Sequence, residues 1–442
     1  MEESIGERIK SLRKELKLTQ SELAGDEITK SMLSQIENNQ ATPSMKSLQY
    51  IAARLGKSIS FFLDGKDENS SRTTEILPVE EIHRQLNNID SLIKNLDLST
   101  SRLKLEEILS AYEYDKGSKL YADILYKYGE CLIDLLEFDN GEEKIKDSVK
   151  IYTDLHLYSY AARANLESIG RYLAAYRYDE CIKILDECWS MYKHAVNRDP
   201  ILEIEMLYYR ALIKLANSTA EEVLDLIQKA LDISKEIGAY YNSDELYRLK
   251  ATVYFIMEKY DDFNYCIKKA FQFAQFTDNK RSIAKIQISF AAYENVINHP
   301  ENALEYLRKC DDYSGSKSFI YYITLAHTYY LLGNYNDALN TITKVEYKPR
   351  SHHKIDYFTM WTGKVYEGLI LHKLNRIEEA ISSINMGITE LNFFSESKYL
   401  AFAYESLSNI YADINDYKNA YYSIHKAYEI RLSLVNSGKF AY

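Results

Sequence analysis

Residues that interrupt a helix are scarce in this chain: 5 prolines and 15 glycines among 442 residues. Such scarcity points to long uninterrupted helices. No run approaches the roughly 18 consecutive apolar residues of a membrane span. The opening Met1-Glu-Glu-Ser-Ile5 carries neither a basic segment followed by an apolar one nor a lipidation signal, so the expectation is a soluble cytoplasmic protein with no membrane partner. Five cysteines, at 131, 181, 188, 266 and 310, form no CxxC pair and have no histidine at zinc-ligand spacing. With no secretion signal they read as reduced, small core residues. Catalytic signatures are missing too: there is no phosphate-cradling glycine loop, no nucleophile elbow and no HExxH. Ser282-Ile-Ala-Lys285 has no companion motif, and His352-His353 reads as a solvated loop. The expectation is a non-enzyme with no cofactor and no metal.

What is present is apolar surface for a large core, 46% of residues with 13% aromatic, in a chain long enough for more than one folding unit. Near the start, Thr19-Gln-Ser-Glu22 has capping-box spacing and opens a short helix through Ala24, and Gly25-Asp26 makes a turn. Thr29 can then cap a second helix. On it Leu33 and Ile36 face a small bundle, while Lys30, Ser31, Ser34 and Gln35 face outward. Ile5, Ile9, Leu12 and Leu16 give a preceding helix its apolar stripe. Thr42-Pro43 starts a later one filled by Leu48, Ile51, Ala52 and Leu55, and Ile59, Phe61, Phe62 and Leu63 form a last turn. From Ile28 to Ser58, Lys30, Lys46, Arg54 and Lys57 face the single acid Glu37, a local +3 in a chain of formal charge -11. A local basic patch of this kind suits phosphate.

Ile9-Lys-Ser-Leu-Arg13, Leu18-Thr-Gln-Ser-Glu-Leu-Ala24, Leu33-Ser-Gln-Ile-Glu-Asn38 and Pro43-Ser44 resemble the Cro/repressor-type helix-turn-helix family over about residues 5 to 65. The resemblance implies a five-helix domain that binds double-stranded DNA. It implies that Thr29, Lys30, Ser31 and Gln35 approach base edges, that Gln20 touches phosphate, and that Arg13 and Glu37 form an internal ion pair. Ser34 joins the candidate DNA contacts by its place on the outward face.

Beyond this domain (1–65), the polar stretch 66–78 reads as a linker and 79–98 as a helix with Ile82, Leu86, Ile89, Ile93 and Leu96 on one side. Residues 99–442 are then a repeat. Taking 141, 181, 223, 263, 303, 338, 380 and 420 as reference positions, the residue four places on is apolar in every copy, from Ile145 to Ile424. Twelve places before each reference lies a mostly small series: Gly129, Ile169, Ala211, Ala251, Ala291, Ala326, Gly368 and Ser408. Small residues facing one another let antiparallel helices pack closely, and stacked hairpins build a solenoid. Leu325-Ala-His-Thr-Tyr-Tyr-Leu-Leu-Gly-Asn-Tyr-Asn-Asp-Ala338 resembles a tetratricopeptide repeat. The fold class expected is all-α, the helix-turn-helix domain followed by a right-handed superhelix of about eight repeats.

On the concave face of such a superhelix the first helices would place Asn165, Tyr208, Arg248, Thr252, Lys285, Asn295, His327, Tyr330, His372 and Asn409. Asparagine amides suit a peptide backbone, and Arg248 and Lys285 suit a peptide carboxylate. The order of domains resembles the RRNPP regulators of the NprR and PlcR type. The resemblance implies a quorum-sensing transcription regulator that binds DNA and a short signalling peptide and works as a homodimer or tetramer. The alternative is a peptide-controlled scaffold that sequesters a signalling protein of a phosphorelay.

Overall fold

The computed structural model describes residues 4–16, 18–25, 28–55, 62, 79–94, 97–111, 113–310, 318–348, 353–394 and 396–437, and every regular element among them is helical. No helix among these residues is long and apolar enough to cross a membrane. The chain forms two compact units, Met1–Ile82 with Ser110–Glu113, and His83–Leu109 with Tyr114–Tyr442.

In the first unit, α1 (Ile5–Glu15), α2 (Gln20–Ala24), α3 (Lys30–Glu37) and α4 (Met45–Leu55) close over Ile9, Leu12, Leu23, Leu33, Ile36, Leu48, Ile51 and Phe62. Local capping chemistry sets the starts. Ser4 with Glu7 and Thr19 with Glu22 form complete capping boxes, and the Thr29 hydroxyl accepts from the Met32 amide at 3.1 Å. Two expectations need correction. Leu16 is not on the core stripe but caps α1 with 47% of its surface exposed. Thr42-Pro43 does not start α4; the Ser44 hydroxyl accepts from the Ser47 amide at 3.2 Å and fixes the first turn one residue later. Gly56, Ile59, Phe61, Leu63 and the 66–78 linker lie outside the described residues.

The second unit begins in α5 (Val79–Lys94), whose Ile82, Leu86, Ile89 and Ile93 are buried, and continues in α6 (Leu98–Ala111). Eight antiparallel hairpins follow: α7 (Lys119–Asp134) with α8 (Phe138–Asp154); α9 (Tyr158–Glu167) and α10 (Ile169–Ala174) with α11 (Tyr178–His194); α12 (Pro200–Asn217) with α13 (Ala220–Glu236); α14 (Ser243–Ile256) with α15 (Tyr260–Phe276). Then come α16 (Lys280–Val296) with α17 (Pro300–Cys310); α18 (Phe319–Leu331) with α19 (Tyr335–Ile342); α20 (Lys354–Lys373) with α21 (Ile377–Leu391); and α22 (Lys398–Asp413) with α23 (Tyr417–Ser437). Pro200 and Pro300 each occupy a first helical turn. Pro349 lies outside the described residues.

Close approach explains the small-residue series. A methyl added at Gly368 would stand 2.4 Å from Ile384 Cγ1 and 2.8 Å from the Ala380 carbonyl, and one at Gly129 would stand 2.7 Å from Ile145 Cδ1. Along the apolar series Ile145, Leu185, Ile227, Ile267, Leu307, Ile342 and Ile384 are buried. Ile424, in the last helix, is 45% exposed. All five cysteines are buried, and burial raises the thiols of Cys131 and Cys266 to about 11 and those of Cys181 and Cys188 to about 12. These four thiols are protonated core groups at neutral pH.

The array also touches itself across long sequence distances. Tyr176, at the turn of the second hairpin, packs edge-on against Phe394 at 4.9 Å and Tyr357 at 5.8 Å. The Lys354 amide donates to Tyr178 Oη at 3.0 Å, and Lys398 Nζ reaches Glu258 at 2.8 Å. Hairpins two to four therefore meet hairpins seven and eight, which closes the superhelix.

Candidate functional site

The first unit presents one face of α3. Amphipathic spacing turns Leu33, Ile36 and Glu37 into the bundle and leaves Thr29, Lys30, Ser31 and Gln35 exposed, with Ser34 half-buried between them. The Thr29 hydroxyl accepts one hydrogen bond as the cap, which leaves its proton and one lone pair free. Behind the helix, Arg13 donates Nε and Nη2 to the two Glu37 oxygens at 2.5 and 2.9 Å, and Nη1 to the Leu18 carbonyl at 2.7 Å. Burial alone would raise the Glu37 carboxyl, but hydrogen bonds from Arg13 and Gln20 outweigh it and hold the group below its ordinary value.

Gln20 donates Nε2 to Glu37 at 2.8 Å, so its amide nitrogen is tied to the ion pair; only its remaining capacity can meet a phosphate. Arg54, part of the basic stretch, donates to the Glu22 carbonyl at 2.8 Å and to Tyr50 Oη at 3.0 Å. It braces α2 against α4. Lys30 is the exposed cation of α3.

In the second unit the ten repeat candidates separate into a cluster and scattered residues. Tyr208 on α12, Arg248 on α14 and Lys285 on α16 surround a residue that periodicity does not single out, Glu245. Arg248 Nε donates to Glu245 at 2.7 Å and Lys285 Nζ at 2.8 Å. Burial would raise the Glu245 carboxyl, yet the charges of Arg248 and Lys285 overcome it and bring the group down to about 2. The Asp356 carboxylate, from α20, adds to the field on Tyr208 and Arg248. Arg248 and Lys285 thus share the Glu245 carboxylate directly, with the Asp356 carboxylate in the same field. Thr252, one turn from Arg248, donates to its carbonyl at 3.1 Å.

The remaining candidates do not join this cluster. Asn295 is a correction: it is 4% exposed, and its amide nitrogen donates to Thr328 Oγ1 at 3.0 Å and to the Thr324 carbonyl at 3.3 Å. Its polar capacity is used in joining α16 to α18. Asn165 donates to Glu187 at 3.2 Å. His327 stacks on Tyr366 at 4.3 Å, where burial lowers its pKa to about 4, so it is neutral. Tyr330 packs on Tyr335, His372 lies 3.4 Å from Asp413, and Asn409 is exposed. His353, read as a solvated loop residue, is buried and caps α20. His352 lies outside the described residues.

Residues 6–68 match the helix-turn-helix domain family. The immunity repressor protein of Bacillus phage phi105 is 31% identical over 121 residues, covering 25% of this chain and 83% of that protein. Among solved structures, the apo form of RapI superposes with a TM-score of 0.51 at 14% identity, over 81% of this chain and 99% of that one. PlcR of Bacillus thuringiensis, in complex with the peptide PapR7 and DNA, has a TM-score of 0.39 at 19% identity over 63% and 96%. The RapI superposition shows the fold of the repeats. Through its N-terminal unit the chain belongs to the helix-turn-helix repressor family, joined here to an array of helical hairpins with the fold of RapI.

Proposed function

We propose that this protein is a sequence-specific transcription regulator whose repeats bind a short signalling peptide and hold two or more copies together. The observation that carries the reading is the pairing, in one chain, of an exposed α3 face with an array that holds Arg248 and Lys285 around one carboxylate. In this reading Thr29, Lys30, Ser31 and Gln35 approach base edges, Ser34 lies on the same outward face, and Gln20 touches phosphate. A single such module has too few contacts for useful selectivity, so dimerised repeats place two of them about 34 Å apart, one turn of DNA. Peptide binding acts by favouring one arrangement of the array over another, and its differential affinity sets how far the equilibrium moves.

Lys30→Ala and Gln35→Ala each weaken binding to a selected operator by about 1 to 3 kcal/mol while the repeats melt unchanged. Gel-shift titration at fixed salt measures this, and unchanged affinity in both variants overturns the contact assignment. For the repeats, a library of short hydrophobic peptides is screened by melting temperature and light scattering. A cognate peptide at a hundred times its Kd stabilises the array by about 2.7 kcal/mol and changes the particle mass. If no peptide does so while operator binding persists, the repeats serve a protein partner, as the scaffold alternative requires.

A further inference from the structure

We propose that the contact closing the superhelix is an acid-labile clasp, held shut by neutral His353 and released when that imidazole takes a proton. The clasp joins the start of α20 to α11 and α12. His353 is 5% exposed, with Nε2 2.9 Å from the Leu212 carbonyl and Nδ1 3.1 Å from the Ile355 amide nitrogen. A carbonyl only accepts and a backbone amide only donates, so Nε2 carries the hydrogen and Nδ1 is bare. Both bonds require this one neutral tautomer. A second proton, on Nδ1, would face the Ile355 N–H donor to donor, remove the cap of α20 and leave a charge inside the protein.

Neighbouring groups determine whether the proton is resisted. On its own element His353 is next to Lys354 and three residues from Asp356; from α11 it meets the Tyr178 ring at 5.8 Å, and from α12 the Leu212 carbonyl. Burial is the largest influence and lowers the imidazole below 6.5; Asp356 and the Leu212 carbonyl pull upward, and Lys354 pushes down. The sign follows from linkage. With the clasp open, His353 titrates near 6.5; closed, it titrates lower. Closure is therefore fully favoured above 6.5 and loses ground as pH falls from 6.5 toward the closed-state value, because there the open form binds more protons. Release frees the adjoining contacts together: the Lys354 amide on Tyr178 Oη, and Tyr176 between Tyr357 and Phe394. The inference is independent of which ligand the array takes.

Hydrogen exchange of the full chain, corrected for the intrinsic effect of pH, tests it at the Lys354 and Ile355 amides. Between pH 6.5 and 5.5 their protection falls by up to about fivefold, whereas amides at the centre of α8 keep theirs. In His353→Gln, which can still donate to Leu212 but does not titrate, the pH dependence disappears. In His327→Gln it remains as in the wild type, which separates the clasp from the imidazole of His327, also lowered by its surroundings. Protection that is flat in the wild type, or that falls equally in His353→Gln, overturns the proposal. A second readout needs no variant: ring-nitrogen shifts of labelled histidine at pH 7.5 show His353 as the Nε2–H tautomer, and an Nδ1–H tautomer overturns it.

Discussion

Glu37→Ala melts the N-terminal unit well below the temperature at which the repeats unfold. The side chain is wholly buried and accepts three hydrogen bonds, two from Arg13 and one from Gln20. Its removal strands a guanidinium with only the Leu18 carbonyl for company. Breaking a buried pair from one side costs about 3 to 5 kcal/mol, a large part of the roughly 5 to 15 kcal/mol that holds a domain together. Calorimetry should resolve two transitions, the earlier one displaced in the variant and the later one fixed. Operator binding fails with the first. Acid has a related effect in the wild type: the folded carboxyl lies below its ordinary 4.5, so the stability it supplies is complete above 4.5 and is lost as pH falls through the folded value. A first transition indifferent to both Glu37→Ala and acid would mean that the pair does not hold this unit.

Phe358→Ala destabilises the repeat unit by about 3 to 5 kcal/mol, the usual result of emptying a phenylalanine site in a packed core. Phe358 is 0% exposed, stacks on Tyr399 at 5.5 Å and meets Phe394 edge-on at 5.8 Å. Phe394 in turn holds Tyr176 of the second hairpin, so the cavity opens beside the closing contact. Denaturant titration followed by Trp361 and Trp189 fluorescence measures the loss. A loss under about 1 kcal/mol would show that these rings are not packed as a core.

How much of this was legible in the sequence depends on the range of the interaction. Capping at Thr19 and Thr29 acts over three residues, and those starts were readable. Pro43 misled because proline commonly opens a helix, whereas here Ser44 supplies the cap. The small series from Gly129 to Ser408 was readable because helix–helix approach imposes the same steric demand in every copy. Glu245 is not legible because an acid on an amphipathic helix looks solvated until Arg248 of its own helix and Lys285 of a neighbouring one are placed around it. Asn295 was misassigned for the converse reason: a polar side chain bridging two helices has no periodic signature. His353 was the hardest to read, since its partner Leu212 is 141 residues away and nothing in the local pattern announces it.

The closed superhelix alters how such an array can come apart. An open solenoid frays from its ends, and its stability approximates a sum of neighbour terms. Here hairpins five and six lie within a loop whose two sides are fastened together by Lys354, Tyr176 and Lys398. Neither can peel away without breaking contacts that belong to others. Closing that loop must wait until both sides exist, and the ordering entropy is spent before the contacts return anything. Loss of hairpins five and six is therefore coupled to the opening of these contacts, which join residues 140 and 176 positions apart in the chain.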